Sequence, residues 1–181
     1  MYGHLEVICG PMFASKTTLL LKRILWYRDG RKSNVLVLKP SFDTRYNETR
    51  IVSHDGLSAE AQAVSAWPET DRRPDAVMID EVQFMAAPRF DGDIVEAIRQ
   101  ALAQGTEVVA AGLDMDWQGR PFETTARLIA MADTVTKVTA DCTVCGRAAT
   151  KSFKRTASGD SVELGAGDLY EARCNVHWGQ H

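Results

Sequence analysis

Three short stretches of this chain carry groups able to handle phosphate, a proton or a metal. The first, Gly10-Pro11-Met12-Phe13-Ala14-Ser15-Lys16-Thr17, nearly matches the phosphate-cradling pattern G-x-x-x-x-G-K-[ST] and runs into Thr18. Such a loop turns backbone N–H groups toward an anion at a helix N-terminus. Lys16 would neutralise the β- and γ-phosphates of ATP, and the Thr17 hydroxyl would hold Mg²⁺. One letter departs, because Ser15 stands where the pattern has glycine. If that position needs a positive φ, serine costs about 1 kcal/mol or more, and its side chain crowds the phosphates. The plain alternative is a strand–helix turn without a ligand.

The second stretch is Asp80-Glu81, at the end of the apolar run Ala76–Ile79. A carboxylate there has the form of the magnesium partner of a phosphate loop, with Asp80 orienting the ion mostly through water. Transfer of a phosphoryl group to a hydroxyl needs a proton acceptor, and Glu81 is the candidate base. Read alone, the pair is a solvated acidic turn.

The third is Cys142-x2-Cys145 with Cys174-x2-His177, two half-sites at knuckle spacing. Four soft or borderline ligands with no fifth nearby suit a closed, structural zinc. The remaining cysteine, Cys9, reads as a small buried hydrophobe.

The elements that must position these groups follow from periodicity. His4–Cys9 reads as a buried strand entering the loop, followed by a helix from Lys16 to about Arg28 that Asp29-Gly30 closes. Asn34–Leu38, Ala76–Ile79 and Glu107–Leu113 read as further strands, and a second helix is expected from Phe90 to Gln104. The polar, aperiodic stretch 41–55 reads as an exposed loop. Strands alternating with helices predict an α/β fold of the P-loop type, a mostly parallel sheet with helices on both faces. After Ala140 two short alternating stretches, Ala149–Thr156 and Ser161–Leu164, flank the turn Ala157–Asp160 and predict a small β-rich zinc subdomain. The boundaries expected are 1–140 for the nucleotide-binding domain and 141–181 for the subdomain.

With 181 residues, 45% hydrophobic and 25% charged, the chain has the size and composition of a folded globular protein. Its net charge of −3 gives no electrostatic reason to expect a nucleic acid, and no apolar run is long enough to predict a membrane span. No secretory signal is legible, so a cytoplasmic location is expected.

These motifs, in this order, resemble the thymidine kinase family of the P-loop/zinc type, which is distinct from the viral and mitochondrial-type deoxynucleoside kinases. The resemblance covers nearly the whole chain. The family's GPMFSGKTT or GPMFAGKT appears as GPMFASKTT, its D-x-R-Y as Asp43-Thr44-Arg45-Tyr46 followed by Ser53-His54-Asp55-Gly56, and its D-E-x-Q-F as Asp80–Phe84. Its G-L-D segment appears as Gly112-Leu113-Asp114, with Trp117 in place of the usual phenylalanine, then Pro121-Phe122 and Glu123 in place of a common glycine. Its glycine-rich lasso appears as Leu164-Gly165-Ala166-Gly167-Asp168-Leu169-Tyr170, with Ala166 at the second glycine.

The resemblance implies ATP and thymidine as substrates, with deoxyuridine as a further acceptor, and Glu81 as general base on the 5′-hydroxyl. It places Asp43, Arg45 and Gln83 with the phosphate-binding residues. Met12, Phe84, Leu113, Trp117, Phe122, Gly165 and Tyr170 would form the nucleoside pocket, closed by a lasso from about Lys151 to Asp168. It also implies a homotetramer inhibited by the end product dTTP, acting in nucleotide salvage for DNA synthesis. Two alternatives remain open. One is a relative that binds nucleotide but turns over weakly, which Ser15, Glu123 and Ala166 motivate. The other is a zinc-ribbon ATPase acting on nucleic acid, for which Lys151–Arg155 offers the only short basic group.

Overall fold

The computed structural model describes residues 2–42, 49–53, 55–155 and 169–179. Its centre is a six-stranded sheet of β1 (Leu5–Cys9), β2 (Val35–Pro40), β5 (Gln62–Val64), β6 (Ala76–Ile79), β7 (Glu107–Gly112) and β8 (Thr134–Lys137), in the order β5-β2-β6-β7-β1-β8. Every pairing in it is parallel. The three central strands read as near-continuous apolar runs because both faces are covered. Alternate residues then divide between two cores. Leu5, Val7, Val77, Ile79, Val108 and Ala110 face α2 (Ile94–Ala103) and α3 (Glu123–Met131). Ile8, Met78, Val109 and Ala111 face α1 (Lys16–Leu25), which buries Leu20, Leu21 and Ile24 against them.

Glu6 is the exception within β1. It is buried on the α1 side, where Arg23 grips it with two hydrogen bonds of 2.8 and 2.9 Å and Thr136 of β8 donates at 3.2 Å. The Arg23 contact holds the Glu6 carboxyl below the usual carboxylate range, against the opposing effect of burial. The pair ties helix to strand, because Glu6 without Arg23 would be a buried charge lacking its main partner, whereas Arg23 stays partly exposed.

Several element ends differ from the sequence reading for local reasons. The α-helical turns of α1 stop at Leu25, and a π-type turn, Trp26–Gly30, completes the segment. Helix α2 starts at Ile94 rather than Phe90, because Asp93 caps it by accepting from the N–H groups of Val95 and Glu96. Phe90 is buried ahead of that cap, and the adjacent Asp91 N–H donates to Ser65. Stretch 41–55 is not wholly loop, since β3 (Arg50–Val52) pairs antiparallel with β4 (Ser58–Glu60) and buries Ile51. Helix α3 and strand β8 were not read from the sequence at all.

The C-terminal region is β-rich, as expected. Here β9 (Ala140–Asp141) pairs with β10 (Ala148–Ala149), and β11 (Lys151–Lys154) pairs antiparallel with β12 (Tyr170–Arg173). The short helix α4 (Asn175–Trp178) follows. The expected turn at 157–160, the stretch 161–164 and the lasso glycines lie outside the described residues. No helix among the described residues is long and apolar enough to cross a membrane.

Candidate active site and Cys3His cluster

Parallel strands bring their carboxyl ends to one edge of the sheet, where open α/β folds place their ligand crevice. Cys9 lies level with Gly112, and Ile79 with Ala110. The loop after β1, the acidic pair after β6 and the Leu113-Asp114 turn after β7 therefore meet along that edge.

The phosphate-loop segment departs from β1 at Gly10, where φ is 152° and any Cβ would meet the Val138 carbonyl at 2.3 Å. Only glycine fits this approach. Phe13 and Ser15 both adopt left-handed backbone, with φ of 65° and 56°. The positive φ that the glycine pattern implied at Ser15 is thus present, and serine bears its steric cost. Ser15 also stands at the N-cap of α1, without a side-chain capping bond.

Lys16 Nζ reaches back across the loop to the Pro11 carbonyl at 2.6 Å. Burial pushes its pKa down, while the negative charges of Glu81, Asp80 and Asp114 pull it up. The Thr17 hydroxyl lies 3.3 and 3.2 Å from the two Asp80 carboxylate oxygens. Asp80 is buried, and burial first, then Glu81 beside it, raises its pKa to about 7. Thr18 donates to Asp55 at 3.1 Å, which joins the Ser53–Gly56 motif to the start of α1. Lys16, Thr17, Asp80 and Glu81, read from two distant motifs, are thus gathered at one place.

Glu81 has a left-handed backbone, φ 51°, the kind of strain that persists only where neighbours enforce it. Gln83 is one such neighbour. Its Nε2 donates to Glu81 Oε2 at 2.5 Å, and its Oε1 accepts from the Leu113 N–H at 2.9 Å. The amide orientation follows from the partners, since a flip would set oxygen against carboxylate and NH₂ against N–H. Gly112 permits the approach, because a Cβ there would meet Gln83 Oε1 at 2.5 Å. Both polar ends of Gln83 are therefore engaged with protein groups.

Among the expected pocket aromatics, Phe84 meets Phe122 edge-on at 6.1 Å. Phe42 packs on Phe84 at 5.1 Å and carries the Arg89 guanidinium 4.4 Å above its own ring. Trp117 is half-buried, with the Lys154 ammonium 5.7 Å from its ring centre. Tyr170 is buried at the start of β12, opposite Lys154. Asp43, Arg45 and Gly165 lie outside the described residues.

Three contributors escaped the sequence reading. Phe42 adjoins the D-x-R-Y motif and could have been read as aromatic. Lys137 forms a 2.9 Å ion pair with Asp114, but it sits on the unread strand β8. Ser152 accepts from the Met12 N–H at 3.0 Å, and no local pattern marks it.

The ligand atoms of Cys142, Cys145, Cys174 and His177 all lie within 4.8 Å of one another. The nearest approaches are 3.4 Å for Cys174 Sγ to His177 Nδ1, 3.7 Å for Cys142 Sγ to His177 Nδ1 and 3.9 Å for Cys145 Sγ to Cys174 Sγ. A tetrahedral zinc with Zn–S bonds of about 2.3 Å places sulfurs about 3.8 Å apart, so the set fits that ion. Each half-site is a tight turn: Gly146 N–H donates to the Cys142 carbonyl, and His177 and Trp178 N–H donate to that of Cys174. Burial opposes ionisation of the Cys142 thiol. N–H donation from Cys174, Val144 and Cys145, with the His177 ring, outweighs it and lowers the pKa to about 5.

A wholly parallel α/β sheet, a strand–loop–helix turn ending in Lys-Thr and a strand-end aspartate on the threonine define the class as a P-loop-type α/β fold with an attached Cys3His module. Residues 3–178 match the thymidine kinase family model, and the chain belongs to that family.

Proposed function

We propose that this chain transfers the γ-phosphoryl group of ATP to the 5′-hydroxyl of thymidine, giving dTMP and ADP. The observation that carries the reading is the convergence of Thr17 on Asp80 at 3.2 Å, beside Lys16 and next to the braced carboxylate of Glu81. Lys16 offers a positive charge to the phosphates. The Thr17 hydroxyl and Asp80 supply the hard oxygen donors that suit Mg²⁺, which when bound would neutralise charge on the transferring group. Glu81 accepts the proton of the 5′-hydroxyl. Gln83, which the resemblance places with the phosphate-binding residues, holds Glu81 through its amide and is better read as its support. Phe84 and Phe122, with Met12, Leu113, Trp117 and Tyr170, form the nucleoside side; the family resemblance alone assigns Gly165 to that side and Asp43 and Arg45 to the phosphates.

Family membership supports the finer assignments: deoxyuridine as a second acceptor, inhibition by dTTP, a homotetramer, and cytoplasmic salvage. A weaker kinase is the second reading, and the left-handed Ser15 favours it. The test of the chemistry is Glu81→Gln in an assay that resolves dTMP. Loss of about 10²–10⁴ in turnover with ATP binding retained is expected. Near-natural turnover would remove Glu81 from the mechanism.

A further inference from the structure

The phosphate loop is clamped from outside at two residues that alternate with its strained ones. Phe13 and Ser15 hold φ of 65° and 56°. Met12, before Phe13, donates its N–H to Ser152 Oγ at 3.0 Å. Ala14, between the two, is buried in a cluster with Ala140, Cys142, Ala149, Ala172 and Cys174, two of which belong to the Cys3His set. Left-handed non-glycine residues need surroundings that over-determine them. The C-terminal module supplies those surroundings.

Ser152 is itself fixed. It is buried in β11, level with Ala172 on β12, and its carbonyl accepts from the Trp178 indole N–H at 3.1 Å. Trp178 directly follows His177, the last of the four cluster residues. A continuous run of contacts therefore leads from the Cys3His cluster through Trp178 and Ser152 to the loop. A Met12 N–H committed to Ser152 acts as an anchor for that corner of the loop.

We propose that Ser152 is a positioning residue that sets the Met12 corner of the phosphate loop, so that ATP affinity depends on the Cys3His module. The proposal rests on reading Gly10–Thr17 as the ATP phosphate site. Ser152 does not touch the reacting atoms. Its effect is to hold the two strained turns in register, which an unpinned loop would relax.

The test compares the zinc-loaded natural chain with Ser152→Ala and Ser152→Thr, the second of which retains an acceptor oxygen. Amide hydrogen exchange at Met12, the Kd for Mg·ATP and zinc per chain are measured on each. Removing the acceptor of this part-buried N–H should speed Met12 exchange and weaken ATP binding, each by about fivefold to thirtyfold, at unchanged zinc content. Ser152→Thr should restore both. Unchanged Met12 exchange or unchanged ATP affinity in Ser152→Ala overturns the proposal, as does a change that appears only with loss of zinc. If the natural chain bound no ATP, the phosphate-site reading would fall, while Met12 exchange would still decide whether Ser152 pins the loop.

Discussion

Leucine, isoleucine, valine and methionine fill both faces of the parallel sheet, whereas alanine and cysteine make up the cluster under the Cys3His residues. The contrast is energetic. A fully buried leucine or isoleucine contributes about 1.5–3 kcal/mol, and alanine far less. Packing therefore stabilises the sheet far more than it stabilises the module. Regions this small with little apolar volume commonly rely on a metal or disulfides for stability, and the Cys3His set offers the ligands for one here. The two halves of the proposed site therefore rest on different supports: Asp80 and Glu81 follow a strand of the packed sheet, while Met12 and Ala14 lean on the Cys3His module.

Zinc removal should have the largest effect, since structural zinc binding is worth about 10–16 kcal/mol in small domains. Chelation, or Cys174→Ser, should abolish amide exchange protection in 140–155 and 169–178. Leu5–Cys9, Ala76–Ile79 and Glu107–Gly112 should keep theirs. Protection retained in the module without zinc would show that alanine packing suffices there.

A smaller effect belongs to Asp80, the cost of a carboxylate seated on the packed half. Its pKa is raised to about 7 from an ordinary 3.8, so between about pH 4 and 7 the folded protein binds more protons than the unfolded chain. Stability without ligand should therefore fall as pH rises through that window, by on the order of 2 kcal/mol after relaxation. Melting curves at pH 5 and pH 8 should show this fall in the natural chain, and Asp80→Asn should lose most of it. The same fall in both proteins would assign the pH dependence elsewhere.

The smallest effect concerns the loop where the two halves meet. Ser15→Gly should relieve about 1 kcal/mol of left-handed strain. Mg·ATP should then bind a few-fold more tightly, as calorimetry can read. Equal affinities would mean that the clamps at Met12 and Ala14 already offset the strain.

The packed half was also the more legible in the sequence. Runs such as Leu5–Cys9 and Ala76–Ile79 are apolar on both faces, so strand type and approximate bounds follow directly. Helix α3 hid because Thr124 and Thr125, ordinarily surface residues, form part of its buried face and Phe122 provides no cap. Strand β8 hid because an edge strand of alternating threonine with three of its four residues exposed has little apolar signature. Local motifs placed Lys16, Thr17, Asp80, Glu81 and the four Cys and His residues at their two centres. The supports could not be read that way. Gln83 works only because Gly112 admits it, and Ser152 meets Met12 across 140 residues of chain. Such contacts are set by tertiary packing, which leaves no spacing to recognise.

The most direct test of the kinase reading is ADP release by the natural, zinc-loaded chain with Mg·ATP, measured with and without thymidine. Saturable release that requires thymidine and matches dTMP one for one is the expected result. ADP release indifferent to thymidine, or no release while both ligands bind, would contradict it.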